Sequence, residues 1–172
     1  MQSWYQTAFE LIDMRSFSNL WYWIALAVVW SSSSHWVLGV PFDMVTRAKR
    51  LGGQAEEDLR DLVRVNVNRL LYITETSGAM MVAIGCFLLT VLCILGFVYN
   101  IEFAQAVFLL AFPMSLVFLL SVWTARRIRA ADGEGLHRMM QTHRFITQVI
   151  GMISIFITAF WGMWQNMSIG VL

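Results

Sequence analysis

The chain alternates between long apolar runs and short segments that hold most of its charge. Four runs, residues 19–40, 77–99, 102–124 and 145–165, are long enough to cross a membrane. A hydrocarbon core of about 30 Å needs roughly 20 helical residues. The pattern therefore predicts an all-α membrane protein, a single domain over residues 1–172 with four transmembrane helices.

The charged segments 42–76 and 125–144 also carry a helical pattern. After Gly52 and Gly53, a pair that breaks helices, apolar residues recur every three or four positions from Glu56 onward. They are Leu59, Leu62, Val63, Leu70 and Ile73. We expect this helix to continue into the run that starts at residue 77. Both segments are therefore predicted to be helical extensions beyond the membrane.

The first residues predict a different kind of helix. Over residues 3–14, Trp4, Ala8 and Leu11 fall on one side, while Glu10 and Asp13 fall elsewhere. This spacing indicates an N-terminal amphipathic helix lying in the membrane interface. A disordered polar tail is the alternative.

Composition and charge agree with a membrane protein and predict its orientation. The chain is 58% hydrophobic and 13% charged, with a mean hydropathy of +0.62, whereas soluble domains are about a quarter charged. Eleven of the twelve Lys and Arg residues lie in segments 42–76 and 125–144. Basic loops face the cytoplasm, so we expect a multi-pass protein with both charged segments on the cytoplasmic side and both termini on the other side of the membrane.

The same two segments balance their basic charge with acids. They hold eight of the eleven Asp and Glu residues, and the formal net charge of the whole chain is only +1. A balanced surface disfavours nucleic acid as a partner. The expected partners are the lipid bilayer and either other subunits of a membrane complex or further copies of this chain.

One polar stretch stands inside an apolar run and suggests chemistry. Ser31 to Ser34 precede His35, and Glu75 lies just before the second run. Ionisable residues in membrane spans are rare and usually face the bundle interior, so Ser31, Ser34, His35 and Glu75 are a candidate intramembrane polar site. The alternative is that the serines allow close helix packing and Glu75 serves as a cap or an interface residue.

Metal and haem sites find little support in the sequence. His35 with His143 is the one pairing across two helices that resembles a bis-His haem site. Zinc needs three or four ligands, and no cluster of Cys, His and carboxylates supplies them. Cys86 and Cys93 lie within the second apolar run and are interpreted as buried apolar fillers. We predict no cofactor, no metal and no catalytic residue.

The charged helical extensions offer the best candidate surface for a partner protein. The predicted docking residues are Leu59, Arg60, Leu62, Arg64 and Arg69. The apolar stripe also has a partner within the chain, the segment around Ile128, Leu136, Met139 and Met140. If that segment covers the stripe, the charged faces must specify the partner. The leading hypothesis is a non-enzymatic accessory or scaffold subunit; the alternatives are an oligomeric transporter or proton-linked carrier using His35 and Glu75, and a b-type haem protein.

Several sequence stretches resemble a known family. They are residues 9–23, residues 35–44, the segment Arg64 to Leu71 and residues 103–113. Together they resemble a small alphaproteobacterial inner-membrane family described as a component of the Suf iron–sulfur assembly complex. The resemblance covers most of the chain and implies a location in the bacterial inner membrane, where termini opposite the cytoplasmic side would be periplasmic. In iron–sulfur assembly, it implies a role as a membrane tether.

Overall fold

The computed structural model describes residues 16–169, with side chains as far as Met167. The interfacial helix predicted over residues 3–14 lies outside these residues. After a 3₁₀ turn at Ser16–Ser18, the elements are α1 (Leu20–His35), β1 (Trp36–Val37), β2 (Val40–Pro41), α2 (Phe42–Leu51), α3 (Gln54–Cys93), α4 (Glu102–Ala130) and α5 (Leu136–Ile169). A π-helical turn at Ile94–Val98 extends α3.

Three helices are long and apolar enough to cross a membrane, which suggests a membrane-embedded protein. They occupy Gln54–Val98, Glu102–Ala130 and Leu136–Met167. The predicted span 19–40, by contrast, is not one helix. α1 has 16 residues, which at 1.5 Å per residue is about 24 Å, less than the thickness of a typical hydrocarbon core.

A two-stranded hairpin ends α1 early. Val37 pairs with Val40 across a turn made by Leu38 and Gly39, whose φ angles are 52° and 73°. Two consecutive positive φ angles are typical of the tightest hairpin turns. The Asn66 side chain donates a hydrogen bond to the Gly39 carbonyl at 3.2 Å, which fastens the hairpin to α3. The chain reversal buries the side chains of Val37 and Val40 completely. A helix that continued past His35 would not provide this burial.

The long helices pack side by side with α4 in the middle. α3 and α4 are joined by the short connection 99–101 and run antiparallel, as predicted from the scarcity of polar residues there. α5 packs on the other side of α4, and α1 packs against α5. Pro113 is buried within α4, which remains helical from Glu102 to Ala130.

The charged end of the bundle, residues 42–76 and 125–144, encloses its own apolar core. The buried members of this core are Val37, Val40, Val45, Ala48, Leu59, Val63, Val67, Leu71, Ala125, Ile128, Leu136 and Met140. The α3 stripe is thus covered by the ends of α4 and α5, which confirms the predicted partner within the chain. Ile73 remains 39% exposed and takes no part in the core.

The apolar half of α3 is nearly bare. Only 6% of its most apolar 18-residue window is buried. A side chain added at Gly78 or Gly85 would meet no atom within 4 Å. Cys86 and Cys93 are exposed on this half, so their assignment as buried fillers was wrong. Apolar side chains on a membrane helix can face lipid as readily as protein, and the hydropathy of the run does not distinguish the two.

Candidate functional site

Polar side chains occupy the interior of the bundle formed by α1, α4 and α5. On α5, His143, Thr147, Ser154 and Thr158 are buried at spacings of four and seven residues, which place them on one helical face. Facing helices add further polar groups. We call the set the polar column; its members are Tyr22, Trp30, Gln105, Thr124, His143, Thr147, Ser154 and Thr158.

Gln105 anchors the end of the column farthest from the charged end. Its side chain is 1% exposed, and its amide nitrogen donates to the Gly96 carbonyl at 2.8 Å. Its amide oxygen accepts from Trp161 Nε1 at 3.0 Å and from Gln165 Nε2 at 2.6 Å. A Cβ atom at Gly96 would come within 3.0 Å of the Gln105 backbone nitrogen, so the glycine permits this approach. One side chain thereby ties together α3, α4 and α5.

The middle of the column contains two polar atoms without partners. The Tyr22 hydroxyl donates to the Ala106 carbonyl at 3.2 Å. By contrast, Trp30 Nε1 and Thr147 Oγ1 are buried, and neither has a hydrogen-bond partner among the described residues. A buried unsatisfied donor costs roughly 1–3 kcal/mol. This part of the column is therefore where a water molecule or a polar ligand would gain the most from binding.

The column ends toward the charged end at a threonine and histidine pair. Thr124 Oγ1 lies 3.1 Å from His143 Nδ1, and both residues are almost completely buried. The pair joins α4 to α5 just before the basic residues of these two helices begin. Within the polar column, these two residues lie nearest in sequence to the basic residues of α4 and α5.

The residues of the predicted intramembrane site lie elsewhere. His35 is the exposed last residue of α1, and its ring contacts Trp36 edge-on at 5.9 Å. Glu75 is exposed and accepts a hydrogen bond from Arg129 at 2.6 Å. Ser31 is exposed and Ser34 is half-buried. The four residues form no common site in the described bundle, and Glu75 instead links α3 to α4 at the surface.

The apolar members of the predicted docking surface are covered to different extents. Leu59 is completely buried in the core of the charged end, and Leu62 packs partly against that core. The assignment of Leu59 to a docking surface was wrong, because the ends of α4 and α5 already cover it. Leu62 is partly covered, and its assignment stays a prediction.

The arginines of that predicted surface remain exposed. Arg60 pairs with Glu56 at 2.9 Å and Arg64 pairs with Asp61 at 3.0 Å. Arg69 has no ion pair within residues 16–167. The charged part of the predicted docking surface is therefore available to a partner.

A groove runs between α3 and the turn that joins α4 to α5. Its volume is about 360 Å³, and its charged lining residues are Arg60, Asp61, Arg64, Arg129 and Asp132. Three positive and two negative side chains give it mixed charge with a basic excess. The groove is therefore suited to a protein segment that carries both signs with an excess of acid.

Glu56 connects the beginning of α3 to α5. Its carboxylate contacts Arg60 and also lies 2.8 Å from His137 Nε2. Glu56 belongs to the charged end, ahead of the apolar run. The hydrogen bond from Arg60, and secondarily the contact with His137, holds the pKa of Glu56 below its usual value despite partial burial. The ionised carboxylate is thus the form that stabilises the packing of α3 on α5.

The geometry does not bring a metal or haem ligand set together. In the part of the chain that the structure describes, no three His, Cys, Asp or Glu side chains cluster as metal ligands. His143 is buried against Thr124, whereas His35 is exposed beside Trp36. The two histidines therefore occupy different environments and do not form the bis-His arrangement considered from the sequence.

The spacing of polar residues in the sequence indicates the polar column, although the pattern of apolar runs does not identify it. Within an apolar run, the polar positions 143, 147, 154 and 158 repeat with helical spacing. Tracing polar rather than apolar periodicity would have placed them on one face. Gly151 and Gly162 lie on the same face and touch Trp30 and Phe17, as expected for packing glycines.

Comparison of this chain with protein-family models, with curated proteins and with solved structures gave no match. A functional assignment therefore depends on the geometry of the chain itself. Two features are available for it, the folded charged end with its groove and the polar column within the bundle.

Proposed function

We propose that this protein is a non-enzymatic accessory or scaffold subunit of a larger inner-membrane assembly. The observation that supports this proposal is the folded charged end. It has its own aliphatic core, so it is a structured protrusion rather than a loose loop. The charged outer faces and the groove between α3 and the α4–α5 turn then constitute the docking surface.

The partner contact is electrostatic in this proposal. Leu59, Val63 and Val67 are consumed by the core, which leaves Arg60, Arg64 and other charged groups outside. Exposed charge pairs contribute little affinity one by one, but complementary charge selects the partner and orients it. The interaction is therefore expected to weaken as the salt concentration rises.

Co-purification from native membranes tests this proposal. The triple variant Arg60→Gln, Arg64→Gln and Arg69→Gln should lose most of its co-purifying protein while still inserting into the membrane. The matched control Arg47→Gln, Lys49→Gln and Arg50→Gln removes the same charge from α2 and should retain it. Co-purified proteins are quantified by mass spectrometry after mild solubilisation. Equal recovery from both variants, or a monodisperse wild-type monomer without any partner, contradicts the proposal.

The orientation in the membrane is part of the proposal. The positive-inside rule supports a cytoplasmic charged end with both termini on the opposite side. The resemblance to the Suf-associated family supports the bacterial inner membrane, and we place α1 in it as a fourth membrane-embedded segment. Single cysteines at Gly133 and Asn100, in a background with Cys86→Ala and Cys93→Ala, test it. In intact cells an impermeant thiol reagent should label position 100 and spare position 133. The reverse labelling inverts the orientation.

The resemblance to the Suf-associated family extends the proposal to a membrane tether. A scaffold for iron–sulfur clusters needs accessible thiolates. The two cysteines of this chain lie on the apolar half of α3 and not in the charged end. This placement favours a tether that recruits an assembly machinery over a protein that holds the cluster itself.

The polar column favours one other function, an oligomeric transporter or proton-linked carrier. In this version the path uses Thr124, His143 and Thr147 rather than His35 and Glu75. Four segments rarely enclose a path alone, so neighbouring copies would complete it. Proton flux into proteoliposomes, followed with a pH-sensitive dye, should fall in Thr147→Val and persist in the control Thr76→Val. Flux that is absent in the wild type removes this candidate.

A b-type haem protein is the least supported alternative, because His35 and His143 are not arranged as a pair of axial ligands. Its test is an absorption spectrum of the protein purified from its native membrane. A Soret band that disappears in His143→Ala and persists in His137→Ala would support haem binding. A spectrum without that band removes the candidate.

A further inference from the structure

A second and larger cavity opens between the ends of α4 and α5, on the side away from α3. Its volume is about 630 Å³. Leu120 and Ile146 line its apolar side, and the buried Thr124–His143 pair also borders it. Arg127 and Arg138 line its charged side. The cavity thus joins apolar and cationic surfaces within one enclosure.

The two arginines supply positive charge that no ion pair of the described residues neutralises. Neither Arg127 nor Arg138 forms an ion pair among residues 16–167. Glu134 also lines the cavity, so the net charge of its lining is +1 with His143 neutral. The Arg127 guanidinium lies 4.7 Å from the centre of the Trp123 ring, and this cation–π contact holds it at the cavity wall. Arginine presents several fixed donors that match the oxygen atoms of a phosphate.

The cavity also lies at the level where lipid headgroups are found. The apolar run of α4 ends at Thr124, and basic residues begin at Arg126. Trp123 is half exposed at this boundary, a position typical of tryptophan at a membrane interface. Leu119 and Phe145, which precede the lining residues Leu120 and Ile146 in sequence, are 55% and 66% exposed and add apolar surface to the same ends of α4 and α5. A ligand with a phosphate and an acyl chain would contact both surfaces at once.

We propose that this cavity binds the phosphate group of an anionic phospholipid, with Arg127 and Arg138 contacting the phosphate and Leu120 and Ile146 contacting the adjoining acyl chain. Basic pockets between membrane helices are a recurrent way to hold such headgroups. This cavity is separate from the groove beside Arg60 and Arg64. The lipid-binding proposal is therefore independent of the partner-docking proposal.

Native mass spectrometry of the detergent-solubilised full-length protein tests the proposal. The protein is titrated with phosphatidylglycerol, with phosphatidylcholine of the same chains, and with inorganic phosphate. The cavity variant is Arg127→Gln with Arg138→Gln; the control is Arg47→Gln with Arg50→Gln, which removes equal charge from exposed positions of α2. Each basic residue near an anionic lipid contributes about 1 kcal/mol, or about fivefold in affinity, so the cavity variant should bind phosphatidylglycerol roughly 25-fold more weakly.

The expected result is retained phosphatidylglycerol in the wild type and the control, and its loss in the cavity variant. Unchanged circular dichroism and gel-filtration profiles show that the cavity variant is folded. If it is not folded, the variants Arg138→Lys and Trp123→Phe, which should weaken phosphatidylglycerol binding less, replace it.

Three outcomes would contradict the proposal. If the cavity variant and the control lose phosphatidylglycerol equally, binding depends on net charge alone and this cavity is not the binding site. Adducts of inorganic phosphate without lipid adducts overturn the lipid assignment in favour of a soluble phosphate ligand. Equal retention of phosphatidylcholine overturns the role of the arginines.

Discussion

The core of the charged end and the interior of the bundle differ in how many polar side chains they bury. Every buried residue in the core of the charged end is Val, Leu, Ile, Ala or Met. The bundle interior buries the polar column beside apolar side chains such as Phe17, Leu26 and Val117, while many other large apolar side chains lie on its outer surface. A single chain thus contains one region with an aliphatic core and one region whose interior mixes polar and apolar side chains.

The difference follows from the solvent outside each region. Water around the charged end drives aliphatic side chains inward, which contributes about 25 cal/mol for each Å² of apolar surface removed from water. Lipid offers no such drive, since hydrocarbon is as apolar as leucine. Helices there associate through close packing and hydrogen bonds, such as those of Gln105. The two regions should therefore depend on different substitutions for most of their stability.

Truncating the buried Leu59 of the charged end should have the largest effect, far larger than truncating a leucine on the bare half of α3. Leu59→Ala removes a completely buried side chain from the aliphatic core, and such truncations cost about 2–5 kcal/mol. Leu88→Ala, at a position that is 52% exposed on the bare half of α3, should cost less than about 0.5 kcal/mol. Thermal unfolding followed by circular dichroism in detergent measures both. Similar losses would mean that the two regions do not differ in what stabilises them.

Removing a buried amide should damage the bundle interior. Gln105→Leu deletes three hydrogen bonds, which in membrane proteins average about 0.6 kcal/mol each, so a loss near 2 kcal/mol is expected. Gln141→Leu makes the same change at an exposed position and should have little effect. The same unfolding assay compares them. A stabilised Gln105→Leu would show that the interior behaves like the core of the charged end.

Glycine substitutions should separate the packed part of the bundle from the bare face of α3. A Cβ atom at Gly151 would lie 2.7 Å from the Trp30 ring, and overpacking of this kind costs about 1–3 kcal/mol. A Cβ atom at Gly85 meets nothing within 4 Å, so Gly85→Ala should gain up to about 1 kcal/mol of helix propensity. Destabilisation by Gly85→Ala would instead reveal a hidden contact on that face, such as one with a second copy of the chain.

The smallest effect concerns pH and the charged end alone. Because Arg60 and then His137 lower the pKa of Glu56, its contribution to stability is present above the unfolded value of 4.5 and is lost as the pH falls through the lower folded value. Glu56→Gln should therefore lower stability at pH 6 and match the wild type once the pH is well below 4.5. A constant gap between wild type and Glu56→Gln at all pH values would contradict the ionic contribution.

Local patterns predicted much of the fold because they depend on few residues. Gly52 and Gly53, with φ angles of 61° and 52°, separate α2 from α3 as their sequence indicated. The long helix from the charged segment into the second apolar run and the tight connection after Val98 were also predictable, since period and polarity determine both. The hairpin at Trp36 to Pro41 was not, because its stability comes from burying Val37 and Val40 against α3, far away in sequence.

The candidate sites show the same division. His35 and Glu75 were predicted as site residues because ionisable side chains are rare within or beside apolar runs. In the structure α1 ends at His35, and Glu75 pairs with Arg129 at the surface. Which face of a membrane helix turns inward depends on its neighbours, because lipid is as apolar as a leucine side chain and does not drive apolar faces into the bundle. Predicting that Thr147 and Gln105 are buried together therefore required the packing of α4 against α5.

The sequence by itself determined where the apolar runs lie, where charge gathers and which helices continue past the apolar core, because length, charge and period are properties of contiguous residues. Only the tertiary structure decided that α1 stops short, that the polar face of α5 points inward and that Arg127 and Arg138 line one cavity. Those outcomes depend on contacts between segments that are far apart in the chain. The local sequence permits several helix faces to turn inward and several chain reversals, and the free energy of packing selects one of them.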